Sequence, residues 1–159
     1  MIAVIADDFT GAAEIGGVSL QYGLKATLVT SLAAVPETDV LIVATNTRAQ
    51  SSSTARKTIH QLTEALLKLQ PAFIYKKIDS VMRGHVADEL LEQLAVAKKQ
   101  RALIIPANPS LHRIVRDGVY YCEEMPLNRS AFSVGQQDEK SSHVIDLMGL
   151  SGKQTQVIS

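Results

Sequence analysis

The sequence predicts an α/β fold, a Rossmann-like three-layer domain with a mainly parallel sheet and an irregular C-terminal part. Two observations carry that expectation. Short runs rich in Ile and Val, at Ile2–Ala6, Ala26–Thr30, Val40–Ala44 and Ala102–Pro106, recur with helical patterns and polar loops between them. Continuous apolar runs of this length are what strands covered on both faces of a parallel sheet look like. The composition agrees, because 159 residues with 46% hydrophobic and 20% charged side chains are enough for one ordinary water-soluble core. A fifth run, Phe73–Lys77, is more amphipathic.

Each element has a local reason. After Ile2–Ala6, a helix over about 11–22 carries Ala12, Gly16 and Ser19 on a thin face that allows close approach to a sheet, and Gly23 stops it. Beyond the strands at Ala26–Thr30 and Val40–Ala44, Ser52 or Ser53 can cap a second helix. On it Ala55, Ile59, Leu62, Leu66 and Leu69 form one apolar stripe, and Pro71 ends it. A third helix, Val86–Lys99, offers Val86, Leu90, Leu91, Leu94 and Ala95 as its buried side, with Lys98 and Lys99 at the end that favours cations. Past Pro106 the rhythm changes. Asp117-Gly118 signals a turn, Val119–Tyr121 a short strand, 128–140 a surface loop, 142–148 a short helix and Gln154–Ile158 a last strand. With no repeat or Pro-rich linker, residues 1–159 read as one domain. A strand running to the end of the chain reads as an incomplete one.

Sixteen basic and sixteen acidic residues give a formal net charge of zero, so no whole-molecule field exists to hold nucleic acid or an acidic membrane surface. No run approaches the ~20 apolar residues that span a bilayer, and the N-terminus lacks the basic region of a secretory signal. The single cysteine, Cys122, excludes an internal disulfide and points to a reducing compartment, the cytoplasm. A phosphate-binding G-x-x-x-x-G-K-[ST] loop is missing, and Asp7-Asp8-Phe9-Thr10-Gly11 stands where a dinucleotide fingerprint would follow the first strand. Four scattered His and one Cys define no zinc site, and no metal is expected, although a divalent ion on Asp7 and Asp8 stays open.

In an open parallel sheet the loops leaving the carboxyl ends of the strands share one edge, where ligands bind. Here those loops carry Asp7, Asp8, Thr10 and Gly11; Thr45, Asn46, Thr47 and Arg48; Lys76, Lys77, Asp79, Ser80, Arg83 and Gly84; and Asn108, Ser110, His112 and Arg113. Asp and Asn exchange hydrogen bonds with hydroxyls, and Arg grips a carboxylate with two parallel bonds, so the rim fits a small polyhydroxylated acid. Taken singly, Asp7-Asp8 could be no more than a helix-capping pair, and Lys77 and Arg83 solvated charges. The coincidence across four loops favours the site.

Three segments carry a resemblance. Ile5-Ala6-Asp7-Asp8-Phe9-Thr10-Gly11-Ala12, then Lys76-Lys77-Ile78-Asp79-Ser80-Val81-Met82-Arg83-Gly84, and Pro106-Ala107-Asn108-Pro109 with Arg113 and Gly118-Val119-Tyr120 resemble, in order and spacing, the N-terminal sugar-binding domain of the four-carbon acid sugar kinases. That family phosphorylates threonate, erythronate, 3-oxo-tetronate and related acids with ATP. Glu14, Val81-Met82, His85 and Asn108 depart from its commoner residues. The resemblance implies substrate contacts from Asp8, Arg48, Asp79, Ser80, Arg83 and Arg113, with Asp7 and Lys77 close by, and the rim adds Thr10 and Asn108. Asp8 or Asp79 is the expected catalytic carboxylate, orienting a hydroxyl, and Arg83 or Arg113 the partner of the acid group. It also implies a C-terminal nucleotide-binding domain, missing from this chain, that would bring ATP and Mg²⁺. None is expected on the chain alone, and the surface such a lobe covers gives a route to a homo-oligomer.

Two rival readings compete with this one. A response-regulator receiver also ends its first strand in an acidic pair, but it needs an aspartate after the third strand, where Ala44-Thr45-Asn46-Thr47 stands. The other is a catalytically inactive binding or structural remnant of the kinase.

Overall fold

In the computed structural model, which describes residues 1–133, 141–150 and 155, the apolar runs nearest the N-terminus form strands joined by helices. The order is β1 (Ile2–Ala6), α1 (Phe9–Gln21), β2 (Ala26–Val29), β3 (Val40–Ala44), α2 (Ser52–Lys68), β4 (Ile74–Lys77) and α3 (Val86–Val96). All four strands are parallel, in the spatial order β2-β3-β1-β4. The alternation along β1 divides the core: Ala3 and Ile5 face one side, Val4 and Ala6 the other. On the first side Ile59 and Leu66 of α2 pack with Leu41 and Val43; on the second, Ala12 of α1 meets Val40, Ile42 and Ala44. The thin face of α1 is real, since a Cβ on Gly16 would stand 3.7 Å from Ile42 Cδ1. The three layers that the sequence predicts are therefore present.

These residues, Met1–Asp79 with Gly84–Ala102, make one compact unit. In its register Ala6 lies opposite both Ala44 and Lys77, so three loops leave the sheet at one level.

Two helical details differ from expectation. The cap of α2 is Ser51, whose Oγ accepts from the Thr54 amide at 3.3 Å, not Ser52 or Ser53. The buried side of α3 is Val86, Glu89 and Gln93, while Leu91 and Ala95 are exposed and Leu90 and Leu94 half-buried. The reason lies on a neighbouring strand. Lys76 of β4 turns inward and its Nζ stands 2.5 Å from Glu89 Oε2, so a charged residue can occupy the packed face. Lys76 therefore does not reach the rim.

The α2–α3 surface carries a titratable pair. His60 Nδ1 and Glu92 Oε1 are 2.8 Å apart, with Arg56 and Glu64 alongside. The Glu92 hydrogen bond, against weak desolvation and with the charges of Glu64 and Glu92, raises the His60 pKa. The same bond, ahead of Arg56, lowers that of Glu92. A raised histidine contributes stability that is complete below its unfolded pKa of about 6.5 and disappears as pH rises through the folded value. A lowered carboxylate contributes above about 4.3, and that part is lost on acidification. His60→Gln is thus expected to cost more stability near pH 6 than near pH 9. Urea midpoints of both proteins at the two pH values check this, and an equal loss at both would contradict it. The effect is small because the pair is exposed.

Ser80–Arg83 and, among the described residues, the chain from Leu103 onward form a second unit. It holds an antiparallel sheet of β5 (Arg113–Arg116), β6 (Val119–Cys122) and β7 (Met125–Pro126), with α4 (Val144–Leu147) after it in the chain. Asp117 and Gly118, both at positive φ (51° and 76°), close the β5–β6 hairpin as their sequence signals. Val81, Tyr120, Cys122 and Leu127 are its core, and the Tyr120 hydroxyl donates to the Ser80 carbonyl. This part is more regular than expected. Conversely, Ala102–Pro106 forms no strand: Leu103 and Ile105 are exposed and the run pairs with no strand among the described residues. An apolar run names what tolerates burial, not what will pair with it. The described part of the expected 128–140 loop contains two 3-10 turns, Leu127–Arg129 and Ala131–Ser133. The rest of that loop and, apart from Thr155, the last expected strand lie outside the described residues.

Candidate functional site

The level exit of β1, β3 and β4 puts acidic residues from two strands around an arginine from the third. Asp7 and Asp8 follow β1, Arg48 follows β3, and Asp79 follows β4. Arg48 Nε donates to Asp7 Oδ2 at 2.8 Å, its Nη1 lies 2.7 Å from Asp8 Oδ2, and its Nη2 lies 3.1 Å from Asp79 Oδ1. Desolvation works against the Arg48 charge, but the Asp7 hydrogen bond and the charges of Asp7, Asp79 and Asp8 outweigh it, so its pKa lies above the ordinary arginine value. Asp7 and Asp79 are buried, and the second oxygen of Asp7, Oδ1, is buried with no hydrogen-bond partner.

The local backbone builds this cluster. Thr45 Oγ1 donates to the Ala6 carbonyl at 2.9 Å and pairs with Thr47 Oγ1 at the same distance, tying the start of the β3 loop to the end of β1. Asp8 is also the N-cap of α1, its Oδ1 accepting from the Gly11 amide at 2.7 Å. The capping role and the site role coincide in one side chain. Gly11 is required by contact, since a Cβ there would sit 2.9 Å from Asp8 Oδ1 and 3.3 Å from Lys77 Cγ. Gly84 is required twice over. Its φ is +82°, and an added Cβ would press on Arg48 Cγ at 3.2 Å.

Lys77 borders the cluster: its Nζ donates to the Ile78 carbonyl at 2.9 Å and pairs with Glu14 Oε2 at 3.2 Å. Thr10 is exposed in the first turn of α1. The structure thus brings Asp7, Asp8, Arg48 and Asp79 together. Ser80, Arg83, Asn108 and Arg113 belong to the second unit. There Asn108 and Arg113 exchange backbone hydrogen bonds (2.8 and 3.1 Å), Asn108 Oδ1 accepts from Ser110 Oγ at 2.6 Å, and the Arg113 guanidinium lies 5.1 Å over the Phe132 ring. Sequence reasoning missed Glu14 as the partner of Lys77 and the sharing of Arg48 among three aspartates. Counting charges on the shared edge would have exposed the second.

Asp8 is the most accessible of the three carboxylates, and a carboxylate there can accept hydrogen bonds from hydroxyls. Among the described residues no group of three or more His, Cys, Asp and Glu could hold a metal ion. Nor is any helix among them long and apolar enough to cross a membrane.

Known proteins agree with this architecture. The chain is 28% identical over 157 residues to the D-threonate kinase of Salmonella typhimurium, covering 94% of this chain and 36% of that protein. It is 28% identical over 135 residues to the D-erythronate kinase of Heliobacterium modesticaldum, covering 81% and 31%. A solved structure from Bordetella bronchiseptica, described as a domain of unknown function in a domain-swapped dimer with bound citrate, superposes with a TM-score of 0.83 at 27% identity, over 93% of this chain and 40% of that one. The chain therefore spans between about a third and two fifths of the length of these relatives. The profile of the sugar-binding N-terminal domain matches residues 2–157, and the chain belongs to that family.

Proposed function

We propose that this chain is the substrate-binding part of an ATP-dependent kinase for a four-carbon sugar acid of the threonate, erythronate or 3-oxo-tetronate type. The observation that carries the reading is the clasped trio of Asp7, Asp8 and Asp79 on Arg48, at the sheet edge where such folds bind ligands. The names of the relatives supply the substrate class. In this reading Asp8 accepts a hydrogen bond from a substrate hydroxyl and orients it, with Thr10 and Lys77 beside it. Asp79 holds the cluster in shape. Arg83 and Arg113 are proposed for the acid group on their chemistry, and Ser80 and Asn108 for further hydroxyls. Phosphoryl transfer is mostly positioning and charge neutralisation, so a bound and oriented hydroxyl is the contribution this chain can make. ATP and Mg²⁺ are proposed to act in the whole kinase, in keeping with the names of the relatives.

Calorimetric titration tests the reading. D-threonate or D-erythronate is expected to bind, and butyrate, which has the same four-carbon chain and single carboxylate but no hydroxyls, to bind at least about tenfold more weakly, the worth of one or two lost hydrogen bonds. Silence with every hydroxylated acid, or equal affinity for butyrate, would overturn it.

A further inference from the structure

We propose that Glu14 is a positioning residue for the substrate site. It holds the Lys77 ammonium beside Asp8, and from there the ammonium donates a hydrogen bond to an oxygen of the bound sugar acid. The inference rests on the sugar-acid reading above and deepens it.

The fold makes the three residues neighbours. Lys77 ends β4 and lies opposite Ala6, so it leaves the sheet on the strand next to the one that delivers Asp8. Glu14 stands on α1, one turn beyond Gly11, and its carboxylate reaches the same place. Gly11 lies between the other two: a Cβ there would stand 2.9 Å from Asp8 Oδ1 and 3.5 Å from Lys77 Nζ. With only hydrogen on that carbon, a carboxylate and an ammonium flank it side by side. An acceptor next to a donor suits a ligand that carries oxygens on adjacent carbons.

Lys77 is restrained without being used up. Its Nζ donates to the Ile78 carbonyl at 2.9 Å and pairs with Glu14 Oε2 at 3.2 Å, and its side chain is 13% exposed. An ammonium has three N–H bonds, so one donor is left for a ligand after these two contacts. A lysine stem left to itself samples many rotamers, and ordering it on binding costs affinity. Glu14 and the Ile78 carbonyl order it beforehand. The Glu14 side chain keeps 43% of its surface, so the pair adds little to stability. What it fixes is a direction.

Removing Glu14 separates positioning from simple charge by sign. A negative charge near the site repels an acid, so through its field alone the loss of Glu14 would tighten the binding of D-threonate. Wild type, Glu14→Ala, Glu14→Gln, Lys77→Met and the Glu14→Ala/Lys77→Met double variant of the whole chain are titrated calorimetrically with D-threonate, and urea midpoints follow their stability. If Glu14 positions Lys77, Glu14→Ala weakens D-threonate about three- to tenfold while its urea midpoint stays near that of wild type. Glu14→Gln, which keeps an oxygen for the ammonium, recovers part of that loss. Lys77→Met weakens binding about ten- to hundredfold, as for one lost charge-assisted hydrogen bond, and in its background Glu14→Ala costs little more. Unchanged or tighter binding by Glu14→Ala, wild-type affinity in Lys77→Met, or an undiminished Glu14→Ala loss in the double variant would overturn the proposal while leaving the sugar-acid reading intact. Failure of wild type to bind any four-carbon sugar acid would overturn the reading and the proposal together. If Lys77→Met does not fold, the sign of the Glu14→Ala effect, at an exposed helix position, decides.

Discussion

Arg48→Ala is expected to destabilise the first unit by about 3–5 kcal/mol, the usual cost of removing one partner from a buried ion pair. Asp7 and Asp79 are 5% and 3% exposed, and the substitution deprives both of the guanidinium. Asp7 suffers most, because its other oxygen has no hydrogen-bond partner to fall back on. The part of the effect due to Asp8 is smaller, since that side chain is partly solvated and keeps the Gly11 amide. Against a typical total of about 5–15 kcal/mol, the loss is large enough to move a urea midpoint unmistakably. A cost below about 1 kcal/mol would mean that the cluster behaves as an ordinary surface ion pair.

The second large effect concerns Lys76 and Glu89, away from the ligand edge. Glu89→Leu is expected to cost about 3–5 kcal/mol by leaving the Lys76 ammonium buried and uncompensated. The double variant Lys76→Met/Glu89→Leu is expected to fall within about 1 kcal/mol of wild type or above it, because well-packed apolar residues of similar volume commonly match a buried pair. The pair is close, at 2.5 Å, yet neither Lys76 Nζ nor Glu89 Oε1 has a properly oriented hydrogen bond, so its desolvation is poorly offset. Thermal or urea unfolding of the three proteins decides. A double variant as unstable as the single one would show that the pair holds α3 in a way apolar packing cannot replace.

Much of this architecture is legible in the chain because its signals are local. Ile2–Ala6 and Val40–Ala44 become strands with those bounds, and the Ala12–Gly16 face of α1 meets the sheet as its small residues require. The α2 stripe buries Ala55, Ile59 and Leu66. Where the reading failed, the cause was non-local. The apolar residues of α3 lie partly in solvent because its packed face is chosen by Lys76 on β4, and no helical periodicity records a charge partner on another element. Ala102–Pro106 carries a strand composition but pairs with no strand among the described residues. At the site, Asp7, Asp8, Arg48 and Asp79 are visible from the rule that parallel strands deliver their loops to one edge. Their pairing is not, because it depends on the β1–β3–β4 register that aligns Ala6, Ala44 and Lys77. Nor does the chain show by itself that all three nitrogens of Arg48 face the protein's own carboxylates.

The most direct test is a crystal structure of this chain with D-threonate or D-erythronate bound. The account predicts a substrate hydroxyl within about 3 Å of an Asp8 oxygen. A substrate seated elsewhere, with none of its hydroxyls in hydrogen-bond reach of the Asp8 carboxylate, would contradict the account.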